Sequence, residues 1–78
     1  MKEQRLQEHD IVSITKDFPE YNLVKGEIGS IVDYYNDVEV EVEFSGVEDA
    51  DGDPLVVYLK TRYLKLIHQW EYTRRDRL

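Results

Sequence analysis

The sequence of 78 residues contains no cysteine and no long apolar run. Without cysteine, disulfide bonds are excluded and a structural zinc site lacks its usual thiolate ligands. The longest apolar run is the five residues 55–59, whereas a membrane-spanning helix needs about 20, and nothing resembles a signal peptide. We therefore expect one cytoplasmic domain whose stability comes from side-chain packing alone.

Residues suited to catalysis are also scarce. The two imidazoles, His9 and His68, lie far apart in the chain, and there is no Ser/His/Asp set, phosphate-binding loop or zinc motif. An acidic stretch superficially resembles a calcium loop, but the sixth and twelfth positions counted from Asp49 are Pro54 and Lys60 instead of glycine and glutamate. We expect no enzymatic activity, no metal site and no cofactor.

Positive charge is scarce in the first two thirds of the chain. Residues 17–53 contain twelve acidic residues against one lysine, Lys25, which gives a net charge of −11, whereas residues 54–78 carry +4. Nucleic-acid affinity comes largely from cations that neutralise phosphates, so this distribution opposes it. It favours a protein partner with a basic surface.

The clearest structural signal is an alternation of apolar and acidic residues. This alternation has a period of two residues over positions 38–44, which predicts a strand with one buried face and one wet, acidic face. The apolar members are Val38, Val40, Val42 and Phe44, and the acidic members are Glu39, Glu41 and Glu43.

Further short β-rich segments complete a small antiparallel barrel. A β-branched run at 11–14 predicts a first strand, and a second predicted strand has Ile28, Ile31 and Val32 as its core candidates. Because the run 55–59 is continuously apolar, it predicts a central strand, and residues 65–67 predict a last, closing strand. We expect an N-terminal arm at 1–9, the barrel at 10–67 and a C-terminal extension at 68–78.

Two glycines, Gly26 and Gly29, bracket the turn into the second predicted strand. We expect Gly26 to adopt a positive φ and Gly29 to allow a close backbone approach or a bulge. The preceding loop contains Phe18, Tyr21 and Leu23, which are apolar enough to fold it back over the core. The loop and the two glycines are therefore predicted to position the second strand.

The same region resembles a known family. The string D-I-V-S-I-T-K-D-F-P-E-Y-N-L-V-K-G-E-I-G-S-I-V-D-Y-Y-N-D, followed by V-E-V-E-F, is similar to small bacterial proteins catalogued as a domain of unknown function. The resemblance covers about residues 10–67 and implies an all-β, SH3-like, five-stranded antiparallel barrel, partly open and without known enzymatic activity. Genes of such families often neighbour toxin-like proteins, which suggests an immunity or antitoxin role by analogy.

These observations predict a non-catalytic, acidic protein-binding module that occludes a basic site on a partner. Carboxylates would supply the negative field and aromatic side chains the desolvated anchors. The alternatives are a KOW-like nucleic-acid or ribosome-associated domain, a structural subunit of a larger complex, and tyrosines that only line the core. The candidate partner-binding residues are Tyr21, Tyr35, Glu39, Glu41, Glu43, Asp49, Asp51 and Trp70.

Overall fold

A computed structural model describes residues 6–68 of the chain, and these form one antiparallel sheet of five strands in the order β4-β3-β2-β1-β5. Short 3₁₀ turns at Pro19–Tyr21 and Thr61–Tyr63 lie in the β1–β2 and β4–β5 connections. The predicted all-β class with five antiparallel strands is confirmed, but the sheet is not closed. The strands are β1 Ile11–Ile14, β2 Ile28–Tyr34, β3 Glu39–Glu48, β4 Pro54–Lys60 and β5 Leu64–His68.

The hydrophobic core lies on one side of this sheet. It includes side chains from β1 to β4 and two from the loop after β1, so that the loop folds back over the core as predicted. Full burial of each large apolar side chain contributes about 1.5–3 kcal/mol, so the core is the main source of stability. Its buried members are Val12, Ile14, Phe18, Leu23, Ile31, Val40, Val42, Phe44 and Leu59.

The alternation in β3 is confirmed except at its first member. Val40, Val42 and Phe44 are fully buried, whereas Val38 is 57% exposed. The prediction that Val38 is buried was wrong because the strand begins one residue later, at Glu39. The side chain of Asn36 accepts hydrogen bonds from the backbone N–H groups of Val38 and Glu39, at 2.8 and 2.9 Å, and holds Val38 in the turn.

A bulge in β2 decides which of its residues are buried. Ile31 pairs with Val42 and Asp33 with Glu41, so Val32 is the extra residue between these pairs. Val32 is therefore exposed, and so is Ile28; of the three predicted core residues in this strand, only Ile31 is buried. The bulge also brings Tyr34 against the core and leaves the next residue, Tyr35, exposed.

The prediction of a central strand at 55–59 was also wrong. β4 is an edge strand of the described sheet, paired on one side with β3. Leu59 is buried and Leu55 and Val57 are half-buried, whereas Val56 and Tyr58 are exposed. A continuous apolar run is typical of a strand covered on both faces, but here the outward side chains have no layer above them.

Gly26, in the connection between β1 and β2, and Gly29, the second residue of β2, have the predicted roles. Gly26 has a φ of +95°, and its N–H donates to the carbonyl of Ile14. Gly29 is buried where β2 crosses β3 closely: a Cβ at this position would lie 2.7 Å from Val42 Cγ1 and 2.8 Å from Phe44 Cε1. Gly29 therefore permits the close approach of these strands.

The segment before β1 is connected to the sheet. The backbone N–H of His9 donates to the carbonyl of Ile31 at 2.7 Å, and the carboxylate of Asp10, which is buried, accepts from the backbone N–H of Gln7 at 2.9 Å. Leu6 packs against the core. Among residues 6–68, no helix has the length and apolar character needed to cross a membrane.

Candidate protein-binding face

The acidic side chains of β3 lie on the outer face of the sheet, between β2 and β4. Asp33 of β2 is paired with Glu41, and all three glutamates are half-buried between the flanking strands. On the other flank β4 places Lys60, Tyr58 and Val56 opposite them. We call this surface the acidic strand face; it comprises Asp33, Glu39, Glu41, Glu43, and the neighbouring Tyr35 and Tyr58.

The fold tolerates this concentration of negative charge. Successive outward residues of a strand are about 7 Å apart, and two unit charges at that distance in water repel by about 0.6 kcal/mol. Burial of one apolar residue on the opposite side of β3 contributes more than that. Of the three residues opposite the glutamates on β4, Lys60 alone is charged, so β4 neutralises little of the negative charge of this face.

Two tyrosines lie beside the glutamates. The rings of Tyr35 and Tyr58 form an edge-to-face pair with centroids 5.4 Å apart and an interplanar angle of 77°. The hydroxyl of Tyr35 donates to Glu41 Oε1 at 3.0 Å, and the two tyrosine hydroxyls are 3.5 Å apart. Both rings are exposed. The result is an aromatic surface bordered by carboxylates, of the kind that anchors a protein partner.

Tyr58 was missing from the predicted set. Its sequence context is a continuous apolar run, which conceals the alternation between Tyr58 and its inward neighbours Val57 and Leu59. The register of β3 with β4 places Tyr58 directly opposite Glu41. The signal that could have identified it is its amphipathic side chain, because a tyrosine within an aliphatic run needs a partner for its hydroxyl.

We expect the Tyr35 hydroxyl to ionise at higher pH than an ordinary tyrosine. Its hydrogen bonds to Tyr58 and then to the Glu41 carboxylate favour the neutral phenol and raise the pKa of Tyr35. The contribution of these hydrogen bonds to the stability of the fold is therefore fully present below the usual tyrosine pKa of about 10. It is lost as the pH rises through the higher pKa of Tyr35 in the folded protein. NMR titration of the tyrosine ring carbons should show that Tyr35 ionises at a higher pH than an ordinary tyrosine.

A single hydroxyl deletion provides the control for that titration. Replacing Tyr58 by phenylalanine removes the largest cause of the shift while keeping the ring, so the pKa of Tyr35 should fall towards the ordinary value. An unchanged titration of Tyr35 in Y58F would contradict the hydrogen-bonded pair.

The predicted residues Asp49 and Asp51 lie in the β3–β4 loop, which follows the end of β3 opposite to Glu39. Asp49 Oδ1 accepts hydrogen bonds from the backbone N–H groups of Asp51 and Asp53, at 2.9 and 3.0 Å. Gly52 completes the turn with a φ of +85°. Asp49 therefore shapes the loop, and both Asp49 and Asp51 are exposed and add negative charge at this end.

Tyr21 lies in a different cluster, formed by the β1–β2 loop and the second 3₁₀ turn. The Phe18 ring lies 6.4 Å from Tyr21 and 5.7 Å from Tyr63, centroid to centroid. Lys16 Nζ lies 5.1 Å from the Phe18 centroid and 4.8 Å from that of Tyr63. We call Lys16, Phe18, Tyr21, Arg62 and Tyr63 the cationic aromatic cluster.

Arg62 completes this cluster by stacking on Tyr63. Its guanidinium carbon is 5.0 Å from the ring centroid, and Nη2 donates to the Tyr63 hydroxyl at 3.1 Å. This hydrogen bond to a positive group lowers the pKa of Tyr63, opposite in direction to Tyr35. Of the predicted binding residues, Tyr35 and the three glutamates thus share the acidic strand face, Asp49 and Asp51 lie in the β3–β4 loop, and Tyr21 lies in the cationic aromatic cluster. Trp70 lies outside the described residues.

Residues 8–58, about two thirds of the chain, match the family described as Domain of unknown function (DUF4926). No curated protein and no solved structure matches the chain. Within residues 6–68, no group of three or more histidine, aspartate or glutamate side chains is arranged to hold a metal ion.

Proposed function

The chain belongs to this family of unknown function, and we propose that it is a non-catalytic protein-binding module whose acidic strand face occludes a basic site on another protein. The observation that carries the proposal is the contact of Tyr35, Glu41 and Tyr58 on one exposed face. Such a module would act as an inhibitor of the immunity or antitoxin type, by blocking the basic site sterically and electrostatically.

The geometry suits recognition of lysine or arginine side chains. Carboxylates on a regular strand present a fixed row of acceptors, which steers a basic partner and sets its register. The exposed rings of Tyr35 and Tyr58 can cover the aliphatic parts of those side chains and interact with their cationic ends. Because the row lies on a strand instead of a loop, little conformational entropy is lost on binding.

The proposed architecture is an SH3-like, partly open barrel. Its support is the strand order β4-β3-β2-β1-β5 together with the 3₁₀ turn between β4 and β5. Buried side chains of β1 to β4 and the partly buried Leu64 of β5 pack in one cluster, as expected when the strands curl around a common core. In such a barrel the acidic strand face would lie on the outer, convex side.

The test compares two charge-reversed variants with equal net charge. Replacing Glu41 and Glu43 by lysine changes the net charge from −7 to −3, and so does replacing Glu8 and Glu20, which are exposed and lie outside the acidic strand face. Each variant and the wild type are immobilised, and the proteins captured from lysate are quantified by mass spectrometry. Circular dichroism verifies that both variants fold.

We expect the wild type and E8K/E20K to capture the same basic protein in equal amounts. E41K/E43K should capture about tenfold less of it, or still less, because close charge pairs are reversed. The purified protein should then show the same ranking by calorimetry. Equal capture by all three proteins, or none by the wild type, would contradict the proposal.

The cationic aromatic cluster favours a second candidate function, single-stranded nucleic-acid binding by a KOW-like domain. Lys16 and Arg62 could neutralise phosphates while the rings of Tyr21 and Tyr63 stack on bases. The net charge of −7 opposes this function. Fluorescence anisotropy with labelled single-stranded RNA tests it: salt-sensitive binding that is lost in K16A/R62A would support it, and no binding at low salt would exclude it.

A further inference from the structure

β4 is an edge of the described sheet, and its composition is unusual for an edge. Exposed edge strands present unpaired backbone N–H and C=O groups, and proteins usually protect them with charge, proline, bulges or short length. Residues 55–59, which form the middle of β4, contain no charge, proline or glycine, although 35% of the whole chain is charged. Pro54 and Lys60 lie only at the two ends of the strand.

The other edge of the described sheet is built differently. β5 is two residues shorter than β4, carries Lys65 in its second position and ends at His68. β5 also has one exposed large apolar side chain, Ile67 at 49%, whereas β4 has two on its outward face, Val56 at 41% and Tyr58 at 57%. β4 thus has the composition of an interior strand in an edge position, which is the pattern expected of a strand that is completed by another chain.

We propose that β4 pairs antiparallel with β4 of a second copy of this chain, about a twofold axis at Val57. This register places Val56 opposite Tyr58 of the second copy, an aromatic and β-branched pair that stabilises antiparallel sheets. It occurs twice because the interface is isologous. The inward residues Leu55 and Leu59 of the two copies are likewise brought opposite each other.

Charge along β4 favours this antiparallel arrangement. Asp51 and Asp53 precede the strand, whereas Lys60 ends it and Arg62 follows. In the proposed register Lys60 lies opposite Pro54 of the second copy and adjacent to its Asp53, so each end of one strand meets the opposite charge. A parallel arrangement would instead place acid beside acid and base beside base.

The acidic strand faces do not oppose this pairing. The two β3 strands would be separated by three interstrand spacings, about 14 Å, which exceeds the Debye length of about 8 Å at physiological ionic strength. The dimer would therefore present two acidic strand faces on one ten-stranded sheet. The inference does not depend on what those faces bind, since dimerisation is measured without any partner.

The first experiment is sedimentation equilibrium of the full chain at increasing concentration. A contact limited to one strand buries little area, so we expect a weak dimer that is populated between about 10 μM and 1 mM. V56K places a charge in the middle of the edge and should remain monomeric. V24K makes the same change at a position that is 62% exposed and outside β4, and it should dimerise like the wild type.

The second experiment tests the register with a charge swap. K60D brings two like charges together at each end of the interface and should raise the dimer dissociation constant about tenfold at low salt. D53K/K60D restores opposite charges in the dimer and should recover the wild-type constant. Because Lys60 also pairs with Glu39 within the chain, thermal melts of both variants separate a loss of stability from a loss of dimerisation.

Three results would overturn the inference. The first is a wild type that stays monomeric up to about 1 mM, because even weak pairing is detected at that concentration. It would show that β4 does not pair between copies, and a contact of β4 with residues 69–78 of the same chain would give this result. Equal dimerisation of V56K and V24K would place the interface elsewhere. The twofold antiparallel register would be excluded if D53K/K60D did not recover the dimerisation that K60D loses. Assemblies larger than a dimer would exclude it as well.

Discussion

Replacing Phe44 by alanine is expected to lower the free energy of unfolding by about 3–5 kcal/mol, the usual loss for a large aromatic side chain removed from a core. Phe44 is fully buried and is the largest side chain in that condition. It also contacts the close crossing of β2 and β3 at Gly29. The total stability of a chain of this size is roughly 4–12 kcal/mol, so F44A should lose between about a quarter and all of it.

Urea denaturation followed by circular dichroism measures this loss. F44L keeps part of the apolar volume and should lose less stability than F44A. V24A removes an exposed side chain and should change the stability by less than about 0.5 kcal/mol. Equal urea midpoints for F44A and V24A would show that β3 does not bury Phe44. The orientation assigned to the acidic strand face would then also be wrong.

Replacing Gly29 by alanine is expected to destabilise the fold by about 3 kcal/mol, the upper part of the range for overpacking a core. The added Cβ would lie under 3.0 Å from three atoms, including the backbone oxygen of Glu43 at 2.9 Å. Val42 and Phe44 could shift slightly, but the backbone of β3 is held by its pairing with both neighbours. The strain therefore cannot be relieved by a rotamer change alone.

Gly46 is the matched control for this substitution. A Cβ at Gly46 would have ordinary contact with Glu27 Oε2, at 3.6 Å, so G46A should leave the stability nearly unchanged. Both variants lose the backbone freedom of glycine in the unfolded chain by a similar amount. Their difference in unfolding free energy therefore isolates the steric contact, and a difference near zero would contradict the close approach of β2 to β3.

Local pattern determined the parts of the fold that depend on nearby residues. The alternation from Val40 to Phe44, the left-handed turn at Gly26 and the bend at Asn36 and Asp37 each follow from side-chain period or backbone preference within a few positions. The same alternation places the glutamates of β3 on the outer face. The all-β class follows from the same local signals.

The composition of the candidate site required tertiary structure. Tyr35 faces outward because a bulge at Val32 shifts the phase of β2, and the bulge arises from pairing with β3. Tyr58 joins Tyr35 because the register of β3 with β4 places it beside Glu41. Tyr21 and Tyr63, far apart in sequence, contact Phe18 instead and form the core of a separate surface.

The sequence by itself determined the amphipathic character of each strand and the negative charge of the body, since both are properties of residues a few positions apart. Tertiary structure alone decided that the apolar run of β4 is an edge and that the acidic and cationic surfaces are separate. The physical reason is that strand order and register depend on contacts between distant residues, and a period of two specifies which side a residue faces but not which strand lies beside it.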